Sequence, residues 1–290
     1  MKIITDIFEM KAEIKSLKYK GKSLKYKGKI IGLVPTMGYL HEGHLSLVRE
    51  SIRKTDCTVV SIFVNPAQFG PREDFKEYPR DLNRDYEILE KEGVDYIFYP
   101  RDSEMYPLGY KTYIEVHDLQ DRLCGFSRHG HFRGVCTVVL KLFNIISPDI
   151  SFFGQKDAQQ AIILKKMVRD INLDVKINVL PIIRDKNGLA LSSRNSHLTE
   201  EQRNAALSLS RSLKQALQMI KSGKRKTEEI IQKMKLTIES EPFTRVDYVE
   251  IVDLEELSPI DRIDKEVLIA IAVFVGKIRL IDNIIVRIKE

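Results

Sequence analysis

Cysteine is scarce and unpatterned in this chain: Cys57, Cys124 and Cys136 are odd in number, widely spaced and form no C-x-x-C pair. That argues against a disulfide scaffold and a structural zinc site, and two of the three lie among apolar neighbours, where a buried free thiol is the default. Long apolar runs are missing too. The hydrophobic stretches are too short or too interrupted by charge to cross a bilayer. Met1-Lys2-Ile3-Ile4-Thr5-Asp6, followed by Glu9 and Glu13, lacks the apolar core of a signal peptide. A cytoplasmic enzyme with no membrane partner is the expectation. No interleaving of aromatic and basic residues and no recognition-helix pattern is present, so no nucleic-acid partner is expected despite a formal charge of +6. The 47 basic and 41 acidic residues describe a mixed surface. Their imbalance is local: residues 15–29 hold seven lysines and no acid, because Ser-Leu-Lys-Tyr-Lys-Gly-Lys stands at 16–22 and again at 23–29. A tandem duplication in a surface helix-to-strand connection accounts for this more simply than a polyanion-binding tail.

What is present is enough for a substantial core: 290 residues, 43% of them hydrophobic, predict one large or two unequal domains. Ile30 to Val34 and Cys57 to Val64 read as buried parallel strands. Leu45, Leu47, Val48 and Ile52 give the helix between them an apolar face. Asp81 to Glu92 reads as a surface helix stopped by Gly93, and Asp95 to Pro100 as a strand. Val135 to Ile146 is apolar nearly all round, as in a helix buried between layers. Ile150 to Gly154 is a strand, Ala161, Leu164, Val168 and Ile171 share one helix face, and Val175 to Ile183 is a further strand. This alternation predicts an α/β fold, a Rossmann-like parallel sheet with crossover helices, over residues 1–183. From Thr199 the composition changes. Thr199-Glu200-Glu201-Gln202 has capping-box spacing and opens a long helix to about Met219; a second helix begins near Glu228. Strand-like runs follow at 246–252, 267–275 and 284–288. Residues 184–290 are therefore expected to form a smaller α+β domain with an antiparallel sheet. It lacks a phosphate-type corner of its own, which suggests a lid or support.

The most informative stretch is Pro35-Thr36-Met37-Gly38-Tyr39-Leu40-His41-Glu42-Gly43-His44. It sets two imidazoles three residues apart where a strand meets a helix, on one side of the first turn. Such a corner leaves backbone N–H groups at the carboxyl end of the sheet, where phosphate oxygens are received. An imidazole donates a hydrogen bond to an oxygen on which charge builds. H-x-G-H is short enough to recur by chance, and a turn with one surface and one capping histidine is the plain alternative. Lys156 stands at a helix mouth beside Asp157; a lysine tolerated there often has an anion to meet. Leu191-Ser192-Ser193-Arg194-Asn195 offers two hydroxyls and a guanidinium, suited to phosphate oxygens or equally to an ordinary N-cap. Gln68 and Gln160 are neutral amides that suit the hydroxyl and carboxylate groups of a small polar acid, although Gln160 is equally suited to a surface helix position.

Together these segments resemble the pantothenate synthetases, the pantoate to β-alanine ligases, over essentially the whole chain. The resemblance rests on Pro35-Thr36-Met37-Gly38 with His41-x-Gly43-His44, Phe63-Val64-Asn65-Pro66-Ala67-Gln68-Phe69, Tyr78-Pro79-Arg80, His131-Phe132-Arg133-Gly134-Val135, Phe153-Gly154-Gln155-Lys156-Asp157-Ala158-Gln159-Gln160, and Leu189-Ala190-Leu191-Ser192-Ser193-Arg194-Asn195. Each is weak alone, and their joint order is specific. The resemblance implies membership of the adenylate-forming relatives of nucleotidylyltransferases, with ATP as co-substrate and Mg2+. It implies that His41, His44, Lys156, Ser192, Ser193 and Arg194 grip the triphosphate, and that Pro35 to Gly38, Gly154, Gln155, Asp157, Ile183 and Leu191 line the rest of the nucleotide. Gln68 and Gln160, with Asn65, Arg128 and His131, would bind pantoate, and Asp85 would partner the magnesium carried by ATP. A homodimer is also implied. A nucleotidylyltransferase that stops after transfer to a phosphorylated acceptor is the rival, and the uncharged Gln68 and Gln160 speak against such an acceptor.

Overall fold

The computed structural model describes residues 1–19, 28–71 and 73–288. The lysine-rich duplication therefore lies partly outside the described residues, at 20–27. In chain order, β1 (Lys2–Ile4), α1 (Ile7–Tyr19), β2 (Ile31–Thr36), α2 (Glu42–Lys54), β3 (Cys57–Ile62), α3 (Leu82–Glu92) and β4 (Tyr96–Phe98) are followed by the short α4 (Asp102–Met105) and α5 (Cys124–Ser127). Then come α6 (His131–Ile146), β5 (Ile150–Gly154), α7 (Ala158–Asp170) and β6 (Lys176–Leu180). The six strands form one parallel sheet in the order β1-β4-β3-β2-β5-β6. From β2 the chain builds outward first through β3 and β4 and then through β5 and β6. The space between β2 and β5 is thus the topological switch point, where ligands bind beyond the carboxyl ends of the strands.

Both faces of this sheet are covered, which is why its strands read as unbroken apolar runs. Ile31 and Leu33 of β2, with Cys57 and Val59 of β3, pack against α1, α6 and α7. Their neighbours Val34, Val60 and Ile62 point the other way, to Leu47 and Val48 of α2 and Leu89 of α3. Period-two alternation thus assigns each side chain to a layer. β2 extends two residues past the expected Val34, running through Pro35, although a central-strand proline cannot donate to the ladder. The missing N–H of Pro35 faces β5, whose pairing with β2 ends at Leu33, so no ladder bond is lost there, and the Thr36 hydroxyl adds a bond to the Ser61 carbonyl of β3 at 2.8 Å.

The carboxyl-terminal part comprises α8 (Glu200–Lys221), α9 (Thr227–Glu239) and an antiparallel sheet of β7 (Thr244–Val252), β8 (Val267–Val275) and β9 (Ile278–Val286). Thr199 caps α8 in the expected box with Gln202. Val267, Ile269, Ile271, Val273 and Val275 of β8 face α8 and α9, whereas Leu268 and Ala270 join the core of the parallel-sheet part. β9 lies at 278–286, not 284–288: Arg279, Asp282 and Asn283 interrupt its apolar pattern, and each is tied into a polar network. The edge strand β1 and the first turn of α6 from His131 also lie outside the expected elements.

Candidate active site

At the β2–α2 corner His41 is the N-cap of α2. Its Nδ1 accepts from the Gly43 N–H at 3.1 Å, and the His44 Nδ1 accepts from the His41 N–H at 3.3 Å. The N–H groups expected to face a phosphate are thus spent on the imidazoles themselves. Because each Nδ1 is an acceptor, each ring carries its proton on Nε2 as an outward donor. The rings stack at 4.0 Å. Gly43 is required between them, since a Cβ there would meet the His41 ring at 2.9 Å. Burial, with the nearby Lys156 ammonium, lowers the His41 pKa to about 4. His44 is pushed well below the usual histidine range by burial, then by His41 and Lys156.

Across the switch point, the β5–α7 corner presents Lys156 and Asp157. Among the described residues no carboxylate lies within ion-pair distance of Lys156, so its charge is available to a ligand. The corner is held from β9: the Asn283 Nδ2 donates to the Gln155 and Lys156 carbonyls at 2.9 and 3.0 Å, and the Gln155 Nε2 donates back to the Asn283 Oδ1 at 3.2 Å.

The loop after β3 sets Asn65 and Gln68 against α6. A Cβ on Gly134 would stand 2.2 Å from the Ala67 carbonyl oxygen, so only glycine lets helix and loop approach this closely. Asn65 is fully engaged: Nδ2 donates to the Gly134 carbonyl and to the Gln68 Oε1, while Oδ1 accepts from the Tyr106 hydroxyl and the Ala67 N–H. The Gln68 Nε2 donates to the Met37 Sδ at 3.1 Å. His131 is buried, and its pKa falls to about 4 through burial and the Arg128 charge. In the segment after β6, Ser192 caps the turn carrying Arg194. Ser193 meets the Tyr78 hydroxyl at 3.2 Å, and Arg194 forms a two-pronged pair with Asp74, both bonds 2.8 Å.

Pro35, Thr36, Met37, His41, His44, Asn65, Gln68, Arg128, His131, Gly154, Lys156, Asp157, Gln160, Ile183, Leu191, Ser192, Ser193 and Arg194 all line one cavity of about 230 Å³. Val135, Val138, Val139 and Leu142 of α6 give it an apolar wall. It continues into a cleft of about 1190 Å³ between the two sheets, lined also by Lys277 to Asn283. Four expected residues stand apart. Gln155 turns to Asn283. The Ile183 carbonyl, although at the cavity, accepts from the Leu191 N–H. Gly38 and Asp85 border a separate cavity of about 210 Å³. Asp85 is only 1% exposed, and its two oxygens accept from the Tyr39 and Leu40 N–H groups at 2.7 and 2.8 Å. Its expected place beside magnesium is therefore corrected: it is a brace for the turn before α2. Sequence reasoning missed Glu73, Asp74, the Tyr78 hydroxyl and the β9 residues. The only local signal was the adjacency of two acids in a proline- and glycine-marked loop.

A family model described as Pantoate-beta-alanine ligase matches residues 2–285. The chain is 54% identical over 285 residues to the pantothenate synthetase of Pseudothermotoga lettingae, covering 98% of this chain and 99% of that protein. To that of Caldicellulosiruptor bescii it is 54% identical over 289 residues, covering 100% of both. Its fold superposes on crystalline pantothenate synthetase from Thermus thermophilus with a TM-score of 0.90 at 38% identity, covering 98% of this chain and 99% of that one. On the pantoate-beta-alanine ligase of Francisella tularensis complexed with beta-gamma ATP and beta-alanine the TM-score is 0.76 at 33% identity, with 98% and 97% covered.

Proposed function

Because this chain belongs to the pantoate-beta-alanine ligase family, it condenses pantoate with β-alanine at the expense of ATP, giving pantothenate, AMP and pyrophosphate through a pantoyl adenylate, and we propose the following division of labour among its residues. The pantoate carboxylate attacks the α-phosphorus of ATP and pyrophosphate leaves; the β-alanine amine then attacks the acyl carbon and AMP leaves with its phosphate oxygen. ATP itself activates the acid, so no side chain need become covalently bound. His41 and His44 donate from Nε2 to phosphate oxygens, Lys156 and Arg194 offset the charge gathering on the departing pyrophosphate, and Ser192 and Ser193 add hydroxyl donors. The adenosine lies against Met37, Gly154, Asp157 and Ile183. Pantoate lies along the α6 wall with its polar groups on Gln68 and Gln160.

The observation that carries this reading is the convergence of two neutral imidazole donors and one uncompensated ammonium on the switch point of a parallel sheet. The ATP and β-alanine in the Francisella relative agree with it. Magnesium is proposed as the ion accompanying ATP. Asp85 does not fit as its ligand, being 1% exposed and beside a separate cavity from that of His41, His44 and Lys156, and among the described residues no group of three metal-binding side chains exists. Residues 1–183 are proposed as the catalytic domain and 184–290 as the lid that brings Ser192 to Arg194 over it. A homodimer in the cytoplasm completes the reading; no helix among the described residues is long and apolar enough to cross a membrane.

Single-turnover pyrophosphate release tests the assignment. H44A and K156A are expected to slow it about 100-fold or more, the scale of a lost transition-state charge contact, with the thermal midpoint nearly unchanged in K156A and lowered in H44A only by the lost cap to the His41 N–H, about 1 kcal/mol. Near-normal release by both would reject the phosphate-gripping role. Unfolding in step with lost rate would assign them a structural one.

A further inference from the structure

Two adjacent acids of one loop, Glu73 and Asp74, line the cleft and each hold an arginine of the cavity. Glu73 holds Arg128 through Oε1 to Nε at 2.8 Å and Oε2 to Nη2 at 2.6 Å. The remaining Arg128 nitrogen, Nη1, lies 3.0 Å from the His131 Nε2. A guanidinium only donates, so the His131 Nε2 accepts and its proton sits on Nδ1, which donates to the Gln68 carbonyl at 2.8 Å. The direction of every bond from Glu73 to Gln68 is thereby fixed. Three of the five Arg128 N–H donors go to Glu73 and His131, so Arg128 ties these two together at the cavity wall. On the other side Asp74 takes the Nε and Nη2 of Arg194, which leaves Nη1 without a partner among the described residues.

The loop does not need these ion pairs to keep its shape. Arg80 donates to the Tyr78 and Phe75 carbonyls at 3.0 and 3.1 Å, and Phe69 packs edge-on against Phe75 and Tyr78. Glu73 and Asp74 are therefore free to act outward. Both carboxyls are held below their usual range by their arginines in spite of burial, and so stay charged.

We propose that Glu73 and Asp74 are positioning residues, one for each substrate: Glu73 sets Gln68 for pantoate through Arg128 and His131, and Asp74 turns the free Nη1 of Arg194 to the ATP phosphates. The proposal rests on the assignment of Gln68 to pantoate and Arg194 to ATP. It predicts a split in Michaelis constants. Glu73→Gln raises the KM for pantoate about tenfold or more, the scale on which a misplaced contact is felt, and leaves the KM for ATP within about twofold. Asp74→Asn does the reverse. Arg128→Lys keeps the charge, loses the fork and reproduces the pantoate-side loss.

Steady-state kinetics with each substrate varied, beside Q68A, R194A and thermal midpoints, provides the test. If Q68A and R194A leave their own KM unchanged, the site assignment fails. If they raise it while the Glu73 and Asp74 variants change neither KM, or both alike, the positioning proposal is overturned. Opposite selectivity of the two variants with unchanged midpoints upholds it.

Discussion

His41, His44 and His131 are neutral because each is enclosed and faced by a cation, Lys156 for the first two and Arg128 for the third. An unfolded chain takes up protons on histidine near pH 6.5, whereas the folded protein resists until about 4 at His41 and His131. The unfolded state then binds more protons between those values, so stability is complete above about pH 6.5 and falls as pH drops toward 4. For a buried ring such as His131 the loss is on the order of 3 kcal/mol. Chemical denaturation at a series of pH values should trace it, and the pH profile of adenylation should show no acid limb near 6.5. An acid limb centred there would mean that a neutral ring is needed but titrates at its ordinary value, and a loss of rate as pH rises through 6.5 would mean that a protonated ring does the work. At this scale the sequence was readable where chemistry depends on short spacing, as in His41-x-Gly43-His44 and Ser192-Ser193-Arg194. It was silent where partners are remote: the arginines of Glu73 and Asp74 lie 55 and 120 residues away, and Asp85 meets N–H groups 45 and 46 residues earlier.

Among the elements, the β5–α7 corner depends on β9. Asn283 is buried and uses its whole amide on Gln155 and Lys156. Truncating it to alanine would leave two backbone carbonyls short of a donor, at about 1–3 kcal/mol for each that water cannot reach, and would loosen the seat of Lys156. N283A is expected to slow single-turnover pyrophosphate release roughly tenfold, with pantoate affinity retained. Undiminished release would mean that the corner supports itself. Helices were easier to read than strands. Asp81 and Gly93 bound α3 as cap and stop signals do, with Gly93 left-handed, whereas β2 passes through Pro35 because its nitrogen faces β5 beyond the last paired residue, Leu33. The polar residues of β9 hid it for a similar reason, their partners being tertiary.

In the whole molecule, β8 explains how the two sheets are joined. Its run Val267-Leu268-Ile269-Ala270-Ile271-Ala272-Val273 is apolar on both faces because one packs on α8 and α9 and the other on the parallel-sheet core. The sequence showed the run, and which two layers would enclose it depended on contacts across the chain. Arg184, at the entry to this part, is tied to the 2%-exposed Asp282 of β9 with bonds of 2.6 and 2.8 Å. A fragment of residues 184–290 would expose Leu268, Ala270 and Ile281 to water. It is expected to self-associate, whereas the full chain does not do so through this face. Size-exclusion chromatography with light scattering decides this, and a monomeric fragment would show that the sheet face is not the glue.

The way His41 and His44 are tethered has an electrical consequence. The amino end of α2 carries roughly half a positive charge, distributed over its unpaired N–H groups. Here two N–H groups at that end, those of His41 and Gly43, point into imidazole nitrogens, and each ring offers an N–H on its opposite edge. The rings therefore carry the helix's positive pole outward by about one ring width, to where, in the proposed reading, a phosphate would meet it through two neutral donors. An anion held this way is attracted by the peptide dipoles of the helix and not by a proton the histidines must bind, so this part of the grip persists when the solution turns alkaline.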